Sequence, residues 1–195
     1  AASDVYKRQA LGNLPERPVL VKSIVTGDLS RAIASYYGIE TVETLTGFKN
    51  ICGKANEYEV TKAKTYLFGY EESIGFCYGT FVRDKDAVSA SMMIVEMAAY
   101  YKERGQTLLD VLETIYTTFG YYNERQIALE LEGVEGQECI ARIMDDFRQS
   151  PLEAVAEMAL KKTIDFIDGY QEFPKQNCLK YYFDCLLYTS PSPRD

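Results

Sequence analysis

The stretch Leu67-Phe68-Gly69-Tyr70-Glu71-Glu72-Ser73-Ile74-Gly75-Phe76 joins an apolar, aromatic run to a turn carrying two carboxylates and a hydroxyl. The run reads as a buried strand ending at Gly69, and Gly75 closes the turn. Convergent polar side chains between glycines at a strand end suit a polyhydroxylated ligand. Adjacent carboxylates can divide the work, one accepting from ligand hydroxyls and the other binding neighbouring backbone or cations. The spacing Glu71-x-Ser73 can place both side chains on one side of an extended loop. A solvated acidic turn is the plain alternative. A glycosidase-type acid pair fits poorly, because that chemistry holds its carboxyls roughly 5 Å or more apart in opposed environments.

Upstream, Pro18 to Val25 is β-branched and apolar apart from Lys22 and Ser23, the pattern of a buried strand. Thr26-Gly27-Asp28 then turns into a helix from about Leu29 to Tyr37, with Asp28 as N-cap and Gly38 as stop. Ile39 to Leu45 reads as a second strand, a short helix runs through Tyr58, and Thr65 to Gly69 is the third strand. Strand, helix, strand, helix, strand predicts an α/β layer with a largely parallel sheet. Ligands gather at the carboxyl ends of such strands. The three ends carry Lys22 to Asp28, Thr46 to Lys49 and Glu71 to Ser73, so one shared polar rim is expected.

An unpaired ammonium inside an apolar strand is costly. Lys22 must therefore snorkel to water, pair with a carboxylate, or serve as a tuned acid-base group. Gly47, after Thr46, opens a helix and lets a ligand approach the backbone. Arg83 and Lys85 flank Asp84 just before a long helix, about Ala87 to Glu103. They read either as a salt-bridged surface cluster or as a cationic pair serving a phosphate at a helix N-terminus. In that helix Met92, Met93, Val95, Met97 and Ala98 suit packing on a sheet. Thr107 with Asp110 resembles a capping box, opening a helix with Leu108, Leu109, Val111, Leu112 and Ile115 on one side. Beyond Gly120, Tyr121 to Leu131 reads as a strand, Glu135 to Arg148 as an amphipathic helix, and Lys162 to Ile167 and Cys178 to Phe183 as two further strands. This second group lacks the polar strand ends of the first.

Composition narrows the classes. The 195 residues are 47% hydrophobic and 26% charged, with no apolar run of membrane-spanning length and no secretory signal, so a cytoplasmic protein is expected. The net charge of −8 argues against nucleic acid as a partner, but two or three local cations suffice for a small phosphorylated ligand. Histidine is absent, which leaves acid-base chemistry to Glu, Asp, Lys or Tyr. The five cysteines are scattered along the sequence and read as small buried hydrophobes in a reducing compartment.

The two ends differ in character from what they flank. Residues 1–9 and 185–195 resemble translated sequencing-adapter DNA and are set aside from fold reasoning. The expected organisation is an α/β domain over 10–106, a connecting helix over 107–120, and an incomplete α+β domain over 121–184.

Four motifs in order, Val21-Lys22-Ser23-Ile24-Val25-Thr26, Leu45-Thr46-Gly47-Phe48-Lys49, Gly69-Tyr70-Glu71-Glu72-Ser73-Ile74-Gly75 and Phe81-Val82-Arg83-Asp84-Lys85-Asp86, resemble the α-D-phosphohexomutase superfamily of phosphoglucomutases and phosphomannomutases. The resemblance implies an enzyme that interconverts 1- and 6-phosphosugars through a phosphoserine and a bisphosphorylated sugar such as glucose 1,6-bisphosphate, with Mg2+ as cofactor. It implies sugar binding for the domain over 10–106 and phosphate binding for the domain over 121–184. It implies Glu71 and Ser73 as ligands of sugar hydroxyls, with Thr46 and Gly47 in the loop that adjusts to glucose or mannose. Lys22 and Lys85 would act near the phosphoryl or acid-base centre, and Arg83 with Lys85 near phosphate. No Ser-His-Asn phosphoserine loop, Asp-Gly-Asp metal loop or Arg-x-Ser-Gly-Thr phosphate loop is found. The expectation is therefore a fragment carrying sugar recognition alone, with no metal ligands and no activity by itself. A phosphopentomutase-like enzyme and a non-catalytic sugar-phosphate or protein-binding module are the alternatives.

Overall fold

The computed structural model describes Gly12, residues 14–184 and the backbone of 186–191. The adapter-like residues 1–9 lie outside it. The chain divides into two compact units, Ala1–Glu124 and Arg125–Asp195.

The first unit is built on one four-stranded sheet. Its elements in order are β1 (Pro18–Ser23), α1 (Leu29–Tyr36), β2 (Glu40–Thr44), α2 (Phe48–Thr61), β3 (Thr65–Glu71), β4 (Gly75–Tyr78), α3 (Ala87–Lys102) and α4 (Leu108–Phe119). The strand order is β2-β1-β3-β4. β1 pairs in parallel with β2 and β3, as the strand-helix-strand alternation predicts. β4 is an added antiparallel edge: β3 runs past Gly69 to Glu71, turns over Glu72-Ser73-Ile74, and returns with Glu71 opposite Gly75. The sequence conceals this hairpin, because polar residues between glycines suit a chain reversal as well as a ligand loop.

Both faces of the sheet are covered, which explains the near-continuous apolar runs of β1 and β3. On one side Val19, Val21, Tyr66 and Cys77 pack with Phe48, Ile51, Cys52, Ala55 and Tyr58 of α2. On the other, Leu20, Leu67 and Phe68 pack with Ala34, Ile39 and Met93. Ile33, Tyr101, Val111 and Ile115 then tie α1, α3 and α4 together. At Gly69 an added side chain would strike the Tyr66 hydroxyl and Ile51, so the close approach of α2 to β3 depends on glycine.

Several local expectations need correction. Asp28 stands at the N-cap of α1 but makes no side-chain cap, because its carboxylate is engaged by Lys22 and Arg31. In α3, Met93 packs on the sheet side while Met92 and Val95 are 57% and 68% exposed. Leu109 of α4 is likewise 75% exposed, whereas Val111 and Ile115 are buried. These helices are apolar on more than the one face that the unit itself covers. The Thr107 and Asp110 capping box is fully formed.

The expected strand over Tyr121 to Leu131 is irregular chain. Its alternation puts Ile127 and Leu129 in step, but they are 80% and 60% exposed. A strand is held by a neighbouring ladder, and this segment, where the two compact units divide, pairs with none among the described residues.

The second unit places α5 (Gly133–Gln149) with a four-stranded sheet of order β5-β6-β7-β8: β5 (Ala154–Val155), β6 (Met158–Asp165), β7 (Cys178–Phe183) and β8 (Leu186–Pro191). All its pairings are antiparallel. Met144 packs with Leu179, Tyr181 and Phe183. Arg148 fixes the helix end to Asp165 at 2.9 Å. β8 lies in the adapter-like 185–195 stretch, and its backbone pairs along the whole of β7.

Candidate functional site

Glu71 is the last residue of β3 and is 4% exposed, an unusual place for a carboxylate. It is compensated by a hydrogen bond from the backbone N–H of Gly47, which opens α2 after β2. Gly47 holds φ at +110°, a backbone position that disfavours a side chain. The Phe48 ring lies against Gly75, where an added side chain would collide with it and with the stem of Lys85. The ends of β2 and β3 and the start of β4 are thus drawn together by one hydrogen bond and one glycine-dependent contact.

The neighbouring carboxylate ties the same turn to β1. Glu72 Oε2 accepts from Ser23 Oγ at 3.1 Å and from Thr26 Oγ1 at 3.0 Å. The two hydroxyls lie 2.7 Å from each other, and the Glu72 N–H donates to Thr26 Oγ1 at 3.3 Å. The adjacent carboxylates face different loops: Glu71 faces the β2 loop and Glu72 the β1 loop. Ser73 follows on the exposed side of the turn, before Ile74 with φ of +60°. Glu71 and Ser73 consequently differ in burial, one inside the rim and one at its edge.

Lys22 is fully buried. Its Nζ lies 2.6 Å from the Thr26 carbonyl oxygen, 2.9 Å from Asp28 Oδ1 and 3.3 Å from Glu43 Oε1. These acceptors match the three protons of an ammonium. Arg31 reinforces the cluster, with Nε 3.0 Å from Asp28 Oδ1 and a terminal nitrogen 2.8 Å from Glu43 Oε1. Burial pushes the Asp28 carboxyl up, but Lys22 and then Arg31 outweigh it and hold it below its ordinary value. Of the options open to Lys22, the structure takes the ion pair. Glu43 is its in-register neighbour across parallel strands, a partnership that needs the sheet to be seen.

Arg83 and Lys85 diverge. Arg83 bonds Glu59 of α2, while Lys85 lies 3.3 Å from Asp84 and 4.8 Å from the centre of the Phe48 ring. The N-terminus of α3 is taken by the Asp86 side chain, which accepts from the amides of Val88 and Ser89. A phosphate at that helix end would share the amides of Val88 and Ser89 with the Asp86 carboxylate. Lys85 remains a cation beside Phe48 and Gly75 at the rim.

Ser23 and Thr26 are the rim residues least legible as individuals. Their signal was the polar strand end of β1, and only the fold shows that Glu72 is its partner. Thr46 precedes Gly47, and its carbonyl oxygen accepts from the Asn50 side chain at 2.9 Å. Among the described residues no three His, Cys, Asp or Glu side chains converge to hold a metal ion.

Comparison with known proteins bears on the family and the fold. The family model for phosphoglucomutase/phosphomannomutase, alpha/beta/alpha domain III, matches residues 1–119. Phosphoglucomutase from Staphylococcus aureus strain MRSA252 is 34% identical over 190 residues, covering 92% of this chain and 34% of the relative. Phosphoglucomutase from Staphylococcus epidermidis strain ATCC 12228 is 34% identical over 193 residues, with the same coverage of 92% and 34%. The chain thus spans about a third of the length of these relatives. Two solved structures share its fold. A chain assigned as a phosphomannomutase from Thermus thermophilus matches with a TM-score of 0.56 at 16% identity, covering 94% of this chain and 31% of that one. The open form of parafusin, a phosphoglucomutase from Paramecium, gives 0.55 at 17%, covering 84% and 28%. With the domain III model matching more than half of its length, and the parallel sheet and its rim in place, the chain belongs to the phosphoglucomutase/phosphomannomutase family.

Proposed function

We propose that this chain supplies the sugar-recognising wall of a phosphohexomutase that interconverts glucose 1-phosphate and glucose 6-phosphate, or the mannose equivalents, through a phosphoserine and a bisphosphorylated sugar. The observation that carries the reading is the Glu71 carboxylate, buried at the carboxyl end of β3 and bonded through one oxygen to Gly47. Its other oxygen accepts from a sugar hydroxyl, with Ser73 as a second contact at the edge of the turn. Because Glu71 also holds the Thr46-Gly47 loop, a hydroxyl that draws on the carboxylate also moves that loop, a route to discriminating epimers. Lys85 is the candidate cation for phosphoryl oxygens, with Arg83, which bonds Glu59, as the second. Lys22 keeps the end of β1 in place through Asp28 and Glu43, and a catalytic part would require it to leave those partners. The sugar phosphate is the ligand class, with glucose 1,6-bisphosphate as the intermediate of the complete enzyme. No step is assigned to Mg2+; among the described residues no three His, Cys, Asp or Glu side chains converge on one point. Family membership supports a cytoplasmic carbohydrate enzyme, and among the described residues no helix is long and apolar enough to cross a membrane.

Amide NMR of the full chain titrated with glucose 6-phosphate tests the reading. Shifts should concentrate at Gly47, Glu71, Ser73 and Lys85, and Glu71→Ala should weaken binding roughly 10–100-fold, the loss of one or two hydrogen bonds to a charged group. Shifts confined to other segments, or an unchanged affinity in Glu71→Ala, would overturn it. The chain alone should not convert glucose 1-phosphate to glucose 6-phosphate.

A further inference from the structure

Cys52 and Cys77 stand 25 residues apart in sequence, yet the fold brings their Sγ atoms to 3.7 Å. Both are free thiols, 4% and 0% exposed. Cys52 lies in the second turn of α2, and Cys77 lies inside β4, the edge strand of the sheet. We propose that this pair is a site of two-electron oxidation, closing to a disulfide that ties α2 to β4. The bond needs the sulfurs to approach by about 1.7 Å, to a length of about 2.0 Å.

The step balances with hydrogen peroxide as oxidant. One thiol loses its proton and attacks a peroxide oxygen as thiolate, the O–O bond breaks, the hydroxide that leaves takes up that proton as water, and a sulfenic acid remains. The second thiol then attacks the sulfenic sulfur, the S–S bond forms, the S–O bond breaks and a second water leaves. Burial, then the adjacent Cys77 thiol and Asp84, push the Cys52 thiol up to about 12 against the opposing pull of Arg83, so thiolate is scarce at neutral pH and the reaction is slow.

The consequence follows from what the thiols do when reduced. The Cys77 Sγ lies 3.4 Å from the Val82 carbonyl oxygen and 3.9 Å from that of Gly79, so its S–H holds the turn over residues 79–82. Oxidation removes that proton, and Val82 loses its donor. The turn leads directly to Arg83 and Lys85, so the disulfide fastens α2 to β4 while loosening the segment that carries these cations.

The test is the full chain, treated with hydrogen peroxide and then denatured, alkylated and mapped by peptide mass spectrometry. The expected result is a Cys52–Cys77 cross-linked peptide that dithiothreitol reverses and Cys52→Ser lacks. Amide exchange over residues 79–85 should quicken roughly 3–10-fold in the oxidised chain, the loss of one hydrogen bond. Full alkylation of both thiols after peroxide, or pairing of either with Cys139, Cys178 or Cys185 instead, overturns the site. Unchanged exchange over 79–85 in the cross-linked chain overturns its consequence. The mapping uses the unsubstituted chain, so it stands even if Cys52→Ser does not fold.

Discussion

Replacing Lys22 by Met keeps most of the apolar stem and removes the ammonium that three acceptors share. Met is the fitting probe because unbranched hydrophobes of similar length repack with small cost. The substitution leaves Asp28 and Glu43 close together, with Arg31 still in contact with both. Removing one member of a buried ion pair typically costs about 3–5 kcal/mol. Here the two carboxylates keep 32% and 21% side-chain exposure and Arg31 still reaches both, so the expected cost is lower, about 2–3 kcal/mol. The chain has no tryptophan, so urea unfolding followed by far-UV circular dichroism is the assay. With a slope of about 1.5–2 kcal/mol per molar, the midpoint of the unit containing β1 should fall by about 1–2 M. In an Asp28→Asn background the cost should shrink by at least half, because one of the stranded charges is already gone. A midpoint shift below roughly 0.3 M, or an equal cost in both backgrounds, would refute the reasoning that Lys22 is held by its carboxylates.

The same cluster sets an acid limit. The Asp28 carboxyl is held below its ordinary value, so the folded chain takes up that proton less readily than the unfolded chain. Its contribution is complete above about 3.8 and is lost as pH falls through the lower folded-state value. Urea midpoints measured from neutral pH down to about 3 should therefore fall more steeply for the unsubstituted chain than for Asp28→Asn. Gly69→Ala should cost about 1–3 kcal/mol through the collision with Tyr66 and Ile51, read as a lower thermal midpoint; an unchanged midpoint would mean that α2 can retreat freely. Thr107→Ala breaks the capping box of α4 and should cost about 1 kcal/mol, with faster amide exchange confined to the first turn. Glu72→Ala should quicken amide exchange at position 72 and at Ser73 while leaving the Glu71 contact with Gly47 intact.

The legible features were those written in neighbouring residues. The apolar runs of β1 and β3 and their helical spacers predicted parallel pairing, and the pairing is parallel. Thr107 with Asp110 announced its cap through a local three-residue spacing. The polar strand ends announced a rim, and Glu71, Glu72, Ser23, Thr26 and Gly47 meet there. The misreadings were of features whose outcome depends on a distant partner. Tyr121 to Leu131 has a strand's alternation but no ladder to join among the described residues. Met92 and Val95 have a core residue's chemistry but face outward. Asp28 has an N-cap's position, yet two cations compete more strongly for its carboxylate than the helix amides do.

By itself the sequence determined the period of each element, the family motifs and the kind of chemistry available without histidine, because these depend on local spacing and residue type. Only the tertiary structure decided which carboxylate faces which loop, that Lys22 is enclosed by Asp28 and Glu43, and that Cys52 and Cys77 touch. Each of those depends on a register between strands or a helix seated on a sheet. Register is set by the burial of whole faces, and no single stretch of chain contains that information.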